Sequence, residues 1–299
     1  MTKMRKVLLA FMVLFIIGGV LYRTTYVGKA YEKITQSIKA NTENKNSNDK
    51  EEAVKDKVLE NKTEDEKEDK TLTKEKTQVE VQEYKKVEKQ PSKKIIVIDP
   101  GHASATSMEK EQQAPGSSIM KVKEPGGAQG INTKTPEYVV NMAVAVRLKT
   151  LLEEKGYTVV MTKTQNKQML GNIARAIVGN KAKADLVIRI HADSNNDSSV
   201  EGASMLVPSD SKNTNAIYKA SKIYGEIVLN NLINSIGMKN RGVVERDDMT
   251  GFNWSKVPVI LVEMGFQSNV EEDKKLTTES YQNKISKALA DGIHKALVE

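Results

Sequence analysis

The sequence predicts an α/β domain with a mostly parallel sheet flanked by helices, over residues 93–299. In this region short runs rich in β-branched residues alternate with longer segments whose apolar residues recur at helical spacing. Strands that alternate with helices of ten or more residues are typical of a parallel sheet, because each helix returns the chain to the start of the next strand. Roughly 200 residues are enough for one such domain.

The chain begins with a positively charged segment followed by an apolar one. Lys3, Arg5 and Lys6 precede residues 7–22, which carry no charge. This order is typical of an export signal whose N-terminus stays inside the cell. The apolar run falls between the ~7–15 residues of a cleaved signal peptide and the ~20 of a spanning helix. We expect residues 1–23 to form a single-pass anchor in the cytoplasmic membrane; the alternative is cleavage, which would release a secreted protein.

Residues 24–92 have the composition of a charged, flexible linker. The stretch 41–90 contains 12 Lys, 15 Asp and Glu, one aromatic residue, Tyr84, and neither Gly nor Pro. Such a segment buries too little apolar surface to offset the loss of chain entropy on folding. We therefore expect it to let a folded domain work at a distance from the membrane.

Charge and cysteine content exclude several classes of protein. The formal net charge is +7, but residues 1–40 carry seven Lys and Arg and one acid, and residues 41–90 carry a net −3, which leaves +4 on the remainder. This modest charge, without an interleaved aromatic patch, gives no support for nucleic-acid binding. The chain has no cysteine, which excludes disulfides and thiolate metal sites.

The elements of the domain follow from apolar periodicity and from helix start signals. Thr135 as N-cap, Pro136 at the first helical position and Glu137 in the first turn predict a helix that ends at Gly156. Further helices are predicted at 168–182, 215–236 and 270–297. The predicted strands are 95–98, 157–161, 186–190, 203–207 and 259–262.

Metal-binding residue types follow three of these strands. His102 comes after the first strand and an Asp-Pro-Gly turn, His191 directly follows 186–190, and Glu263 directly follows 259–262. Ligands of open α/β sheets bind outside the carboxyl ends of the strands. The helix that begins at Pro136 must start near the same edge, which brings Glu137 there as well.

Two histidines and a carboxylate are a standard ligand set for catalytic zinc, which keeps a fourth position for water. We expect His102, Glu137 and His191 to bind the metal and Glu263 to act as general base and acid. The pattern alone leaves open an exchange of roles between the two glutamates. A carboxylate after an apolar strand is costly to bury unless it is paired or metal-linked, which favours a site over coincidence. The third histidine, His294, is expected at the surface.

At these residues the chain resembles the zinc-dependent N-acetylmuramoyl-L-alanine amidases of the Amidase_3 family. The resemblance implies about six strands, one zinc on His102, Glu137 and His191, and Glu263 as catalytic acid and base. It also implies peptidoglycan as substrate and hydrolysis of the amide between N-acetylmuramic acid and L-alanine. The matching segments, in family order, are IIVIDPGH (95–102), residues 136–164, ADLVIRIHAD (184–193) and residues 240–273.

The chain departs from the family pattern between its first two predicted ligands. Ala103 and Ser104 replace the usual glycines, and a long loop, residues 111–135, is expected to lie beside the metal and shape the substrate groove. Asp99 is predicted either to orient His102, because ligating histidines usually donate their other N–H to a carboxylate, or to cap the Asp-Pro-Gly turn. Arg246 and Asn253 are predicted to line the groove.

Two other functions remain open from sequence alone. One is a non-catalytic module that binds the cell wall or activates a partner on the same fold. The other is a zinc peptidase or deacetylase that uses the same ligands on a different bond. The sequence does not identify a protein activator.

Overall fold

The computed structural model describes residues 93–298, and it confirms the predicted α/β class. Six strands form one sheet in the order β4-β1-β5-β8-β6-β7. Strands β1, β4, β5 and β8 run parallel, whereas β6 is antiparallel to β8 and parallel to β7. The strands of this sheet are β1 (Ile95–Pro100), β4 (Thr158–Met161), β5 (Leu186–Asp193), β6 (Ala203–Pro208), β7 (Asn240–Arg246) and β8 (Val259–Phe266).

Within residues 93–298, six helices connect and cover the strands. They are α1 (Glu137–Glu154), α2 (Asn172–Ala182), α3 (Asn215–Ile236), α4 (Thr250–Asn253), α5 (Val270–Leu276) and α6 (Glu279–Val298). The sheet separates two apolar clusters, as the alternation of side chains along a strand requires. In β1, Ile96 and Ile98 belong to one cluster, which includes residues of α1, α3 and α6, while Val97 belongs to the other.

Two helix predictions were wrong in detail. The single helix predicted at 270–297 is two helices, α5 and α6; between them the hydroxyls of Thr277 and Thr278 donate to the carbonyls of Lys274 and Lys275, bonds that compete with continued helix. The N-cap of α1 is Pro136 rather than Thr135, and no side chain caps this end. The Asn269 side chain does cap α5, accepting from the N–H groups of Glu271 and Glu272.

The sequence patterns missed three strands. β7 lies at the edge of the sheet and is largely exposed, so its sequence NRGVVER lacks a continuous apolar run. Strands β2 (Ser107–Gln112) and β3 (Met120–Glu124) form an antiparallel hairpin, in a region that includes the first part of the predicted loop 111–135. The hairpin is a separate two-stranded sheet whose residues are mostly polar and are exposed or half-buried, apart from Glu111 and Glu124.

A buried carboxylate attaches this hairpin to the domain. Glu111, on β2, accepts hydrogen bonds at 2.6 Å and 3.2 Å from the backbone N–H groups of Asn172 and Ile173, in the first turn of α2. The N-terminus of a helix offers unpaired N–H groups and a partial positive charge, which stabilise an anion. The hairpin is therefore fixed at one of its strands by helix-terminus electrostatics.

The predicted anchor at residues 1–23 and the predicted linker at residues 24–92 lie outside the described residues. Within residues 93–298, no helix combines the length and the apolar character needed to cross a lipid bilayer.

A second buried carboxylate fixes the segment that leads into α1. Asp273, on α5, accepts from the backbone N–H groups of Asn132 and Thr133 at 2.7 Å each, and from the Thr133 hydroxyl at 2.6 Å. The side chain is completely buried. A Cβ added to Gly130 would lie 2.1 Å from the Asp273 carboxylate, so only glycine allows this close approach. The position of Glu137 depends on this anchored segment.

We expect Asp273→Ala to lower the free energy of unfolding by about 1–3 kcal/mol, because it leaves the partly buried donors of Asn132 and Thr133 without their acceptor. Urea denaturation of the purified protein measures this. The matched control is Glu271→Ala, in the same helical turn, where an exposed ion pair with Lys274 is lost and the expected cost is about 0.2–1 kcal/mol. Equal destabilisation by the two substitutions would contradict the anchoring role of Asp273.

Candidate metal centre

The four residues predicted to form the site come together at the carboxyl end of the parallel strands. His102 follows β1, Glu137 is the first residue of α1, and His191 and Glu263 are partners in the register between β5 and β8. His102, Glu137 and His191 each offer a ligand atom, and these atoms lie within 4.8 Å of one another. This is the one such group found in residues 93–298, and Glu263 is not a member of it.

Glu137 lies between the two histidines. Its Oε1 is 3.1 Å from Nδ1 of His191, and its Oε2 is 3.3 Å from Nε2 of His102. Oε1 also accepts from the Asn141 side chain at 3.0 Å and from the N–H of Ala192 at 3.1 Å, while Oε2 accepts from the N–H of Ala128 at 2.8 Å. Burial alone would raise the pKa of Glu137. The contacts with the two histidines and Asn141 outweigh burial and lower this pKa to about 2. The carboxylate is therefore ionised at neutral pH.

His102 has an unusual backbone conformation and a fixed ring. Its φ is 57°, in the left-handed region that non-glycine residues rarely adopt, and its carbonyl accepts from Lys163 and Arg175. On the ring, Nδ1 lies 2.9 Å from Oε1 of Glu124, the last residue of β3. With Nδ1 engaged by a carboxylate, Nε2 is directed to Glu137.

Asp99 is connected to the His102 ring indirectly, through Arg175 and Glu124, and not by the predicted direct contact. The Asp99 carboxylate accepts from Arg175 at 2.7 Å, from Arg189 at 2.8 Å and from the Thr162 hydroxyl at 2.6 Å. Although burial raises the pKa of Asp99, the two guanidinium groups lower it well below its usual range. These three donors hold the Asp99 carboxylate, and the carboxylate that contacts the His102 ring is that of Glu124.

His191 is buried and only partly satisfied. Its ring packs edge-on against His102, with the ring centroids 4.9 Å apart. Burial lowers the pKa of His191, which favours the neutral ring that metal binding requires. Its Nε2 is buried without a hydrogen-bond partner. Buried polar atoms almost always have a partner, so an unpaired imidazole nitrogen is a sign that something else binds there.

Two glycines allow the backbone to approach the site. A Cβ on Gly101 would lie 2.3 Å from Cε1 of His191, and a Cβ on Gly127 would lie 2.6 Å from Oε2 of Glu137 and 2.8 Å from Cδ2 of His102. No side chain fits at either position without displacing these groups. The glycines therefore help to bring the three candidate ligands together.

Glu263 has an environment opposite to that of Glu137. Its Oε2 is buried without a hydrogen-bond partner. Burial raises its pKa well above the usual value, and the nearby charges of Glu137 and Asp193 raise it further. A carboxyl group held in this way readily takes up a proton, which suits general acid and base chemistry.

The two predicted groove residues have different surroundings. Asn253 is 2% exposed, and its amide donates to the carbonyls of Gln113 and Asp247, so this side chain holds the hairpin and does not line an open groove. Arg246 is partly exposed, and its guanidinium donates twice to Asp248. Its charge acts on the pKa of Glu263, which places it near the site, and its contact with substrate stays a prediction.

Sequence patterns missed Glu124 and Arg175 as members of the site. Glu124 is buried, and its Oε2 accepts from Arg175 at 3.3 Å. In the segment EPGGAQG, Glu124 stands three residues before Gly127. The glycines of this segment were a sequence signal for a tight turn, here one that lies close to the candidate metal ligands. His294, expected at the surface, is half-buried, and its Nδ1 lies 2.8 Å from the Tyr157 hydroxyl.

Comparisons with known proteins show which family this chain belongs to. The family model described as Amidase_3: N-acetylmuramoyl-L-alanine amidase matches residues 96–295. The curated amidase AmiC of Escherichia coli O6:H1 is 26% identical over 236 residues, which cover 67% of this chain and 52% of AmiC. This chain thus spans about half of the length of that relative.

Solved structures show the same fold. The catalytic domain of CwlV, an N-acetylmuramoyl-L-alanine amidase from Bacillus (Paenibacillus) polymyxa var. colistinus, is 26% identical with a TM-score of 0.56, covering 68% of this chain and 98% of that one. Ami1 of Mycobacterium smegmatis, at 22% identity, matches in fold with a TM-score of 0.63 over 68% of this chain and 96% of that one.

A family model that spans two thirds of the chain identifies it as a member of the Amidase_3 family of N-acetylmuramoyl-L-alanine amidases, hydrolases that cut the amide between N-acetylmuramic acid and L-alanine in peptidoglycan.

Proposed function

We propose that His102, Glu137 and His191 hold one Zn²⁺ and that Glu263 transfers protons during hydrolysis of the N-acetylmuramic acid–L-alanine amide in cell-wall peptidoglycan. The observation that carries this proposal is the pair of unpaired buried atoms, Nε2 of His191 and Oε2 of Glu263, beside the clustered candidate ligands. An unpaired buried polar atom costs about 1–3 kcal/mol, and a bound ion and substrate would offset that cost.

The donor set fits zinc. Two imidazoles and one carboxylate are a common catalytic ligand set for this ion, and the absence of cysteine leaves nitrogen and oxygen donors only. Glu137 supplies a full negative charge at neutral pH, and burial keeps His191 neutral. When bound, zinc would lower the pKa of a water molecule to about 7 and polarise the substrate carbonyl.

Glu263 supplies the proton transfers. Its carboxylate accepts a proton from the attacking water, and the same group then donates that proton to the amide nitrogen as the C–N bond breaks. The products are the free lactyl carboxylate of the glycan and the amine of the L-alanyl peptide. Arg246, near Glu263 and partly exposed, is proposed to contact an anionic or carbonyl group of the substrate.

We also propose that residues 1–23 anchor the protein in the cytoplasmic membrane and that residues 24–92 are its linker, so that the domain acts outside the cytoplasm. The order of charge and apolarity in the sequence supports this orientation. If it is right, an immunoblot of fractionated cells finds the uncut chain in the membrane pellet after an alkaline wash. A shortened chain in the medium would instead show cleavage and secretion.

We expect Glu263→Gln to keep the metal and to reduce turnover by about 10²–10⁴-fold, because the amide cannot accept the proton. Mass spectrometry of muropeptides incubated with the purified protein counts the released stem peptides and identifies the bond that is cut. The control is Glu245→Gln, which removes an exposed carboxylate on β7 that pairs with Lys222. Turnover by Glu263→Gln at the rate of this control would refute the assignment.

Zinc should stabilise the protein through His191. At a free zinc concentration of 100 times the dissociation constant, binding adds about 2.7 kcal/mol to the free energy of unfolding. Thermal unfolding with chelator and with added Zn²⁺ measures the shift. His191→Ala should abolish the shift. His294→Ala, which removes a histidine on α6 whose ring contacts the Tyr157 hydroxyl, should retain it. A zinc-dependent shift of normal size in His191→Ala would place the ion elsewhere.

A further inference from the structure

Apart from its contacts with Glu137 and His191, which are candidate ligands themselves, the His102 ring is held by Glu124. The residue follows β1 in a loop with a positive φ, and the bonds from Lys163 and Arg175 hold its carbonyl but not its ring. Rotation of the ring would move Nε2 away from Glu137. In the described part of the chain, the partner of Nδ1 is the Glu124 carboxylate, at 2.9 Å.

The Glu124 carboxylate is itself held rigidly. Its Oε1 accepts from the N–H of Gly126 at 3.3 Å, and its Oε2 accepts from Arg175. Arg175 is buried and donates to the Asp99 carboxylate at 2.7 Å, to the Pro100 carbonyl at 2.8 Å and to the Leu170 carbonyl at 2.9 Å. Glu124 therefore has little freedom to follow a moving imidazole.

Glu124 is the last residue of β3, so its position also depends on how the β2–β3 hairpin is docked. The hairpin forms no ladder with the six-stranded sheet. Beside the Glu111 contact with α2, it is held by Asn253, which donates to the Gln113 carbonyl at 3.3 Å, and by Trp254, whose Nε1 donates to the Gln112 carbonyl at 3.0 Å. These contacts lie at the opposite end of the hairpin strands from Glu124.

We propose that Glu124 is a positioning residue for His102, and that docking of the β2–β3 hairpin sets the metal affinity of the site through it. The inference rests on the proposed function, because it takes His102 as a metal ligand. Carboxylates that hold the outer nitrogen of a ligating histidine fix its orientation and tautomer, and their loss typically costs about 10–100-fold in metal affinity. The hairpin is thus part of the metal centre although it supplies no ligand.

The competing explanation is that Glu124 only neutralises the buried Arg175. In that case its replacement lowers the stability of the metal-free protein and leaves the metal affinity unchanged. Two replacements separate the roles: Glu124→Gln keeps an oxygen that can accept from Nδ1 and removes the charge, whereas Glu124→Ala removes both. Glu109→Gln is the matched control, since it neutralises a largely exposed carboxylate on the same hairpin that pairs with Lys123.

The experiment measures zinc affinity of the purified full-length protein by competition with a chromogenic chelator. We expect about a 10-fold loss for Glu124→Gln, a loss toward 100-fold for Glu124→Ala, and no change for Glu109→Gln. Cobalt substitution adds a spectroscopic test: the visible bands should shift in both Glu124 variants. Zinc affinity and cobalt bands at wild-type values in both variants would overturn the proposal.

A further variant tests the role of the hairpin, and its effect in the wild-type background does not depend on the folding of the Glu124 variants. Trp254→Phe keeps an aromatic ring and removes the N–H that holds Gln112. We expect several-fold weaker zinc binding in the wild-type background and no further loss in Glu124→Ala, because contacts that act through one residue are not additive. Full additivity would overturn the coupling. Zinc binding without release of stem peptides would refute the proposed function and leave this inference standing.

Discussion

The buried carboxylate of Glu137 is the interaction around which the site is organised. An isolated ionised carboxylate is expensive to bury, and it persists only where donors and positive partners surround it. Glu137 has donors from the loop before α1, from β5 and from α1 itself, and a histidine on each side. The elements that supply these groups are thereby constrained to meet at one point, and the anchoring of residues 132 and 133 by Asp273 serves the same end.

Behind the candidate ligands lies a buried network of charges. Asp99 binds Arg175 and Arg189, and Arg175 also binds Glu124. Buried ion pairs add little net stability, because desolvation offsets most of the attraction, but removal of one member is costly. We therefore infer that the main role of this network is to fix the relative positions of the elements that carry its members. It connects β1, α2, β5 and the hairpin into one support for the loop that carries His102.

The sequence predicted the sheet class, most of the elements and the four central residues, because each of these depends on local signals. Apolar runs mark the buried strands, and the residues that follow them must lie at one edge of the sheet. The hairpin and Glu124 were missed for a physical reason: an exposed, polar hairpin has no apolar period, and its place is set by contacts with Asn172 and Trp254 far along the chain. Asp99 was misassigned because the number of donors around a carboxylate cannot be read from spacing.

The structure also bears on a question that the sequence pattern left open: which of the two glutamates binds the metal. The residues are chemically identical, so only their surroundings can distinguish them. Glu137 accepts several hydrogen bonds that stabilise its charge, and its pKa falls to about 2. Glu263 has a buried oxygen without a partner and feels the charge of Glu137, so its pKa rises. A permanent anion suits a ligand, and a group that takes up protons easily suits a base. The ionised Glu137 itself helps to make Glu263 a group that takes up protons easily, since its negative charge raises the pKa of Glu263.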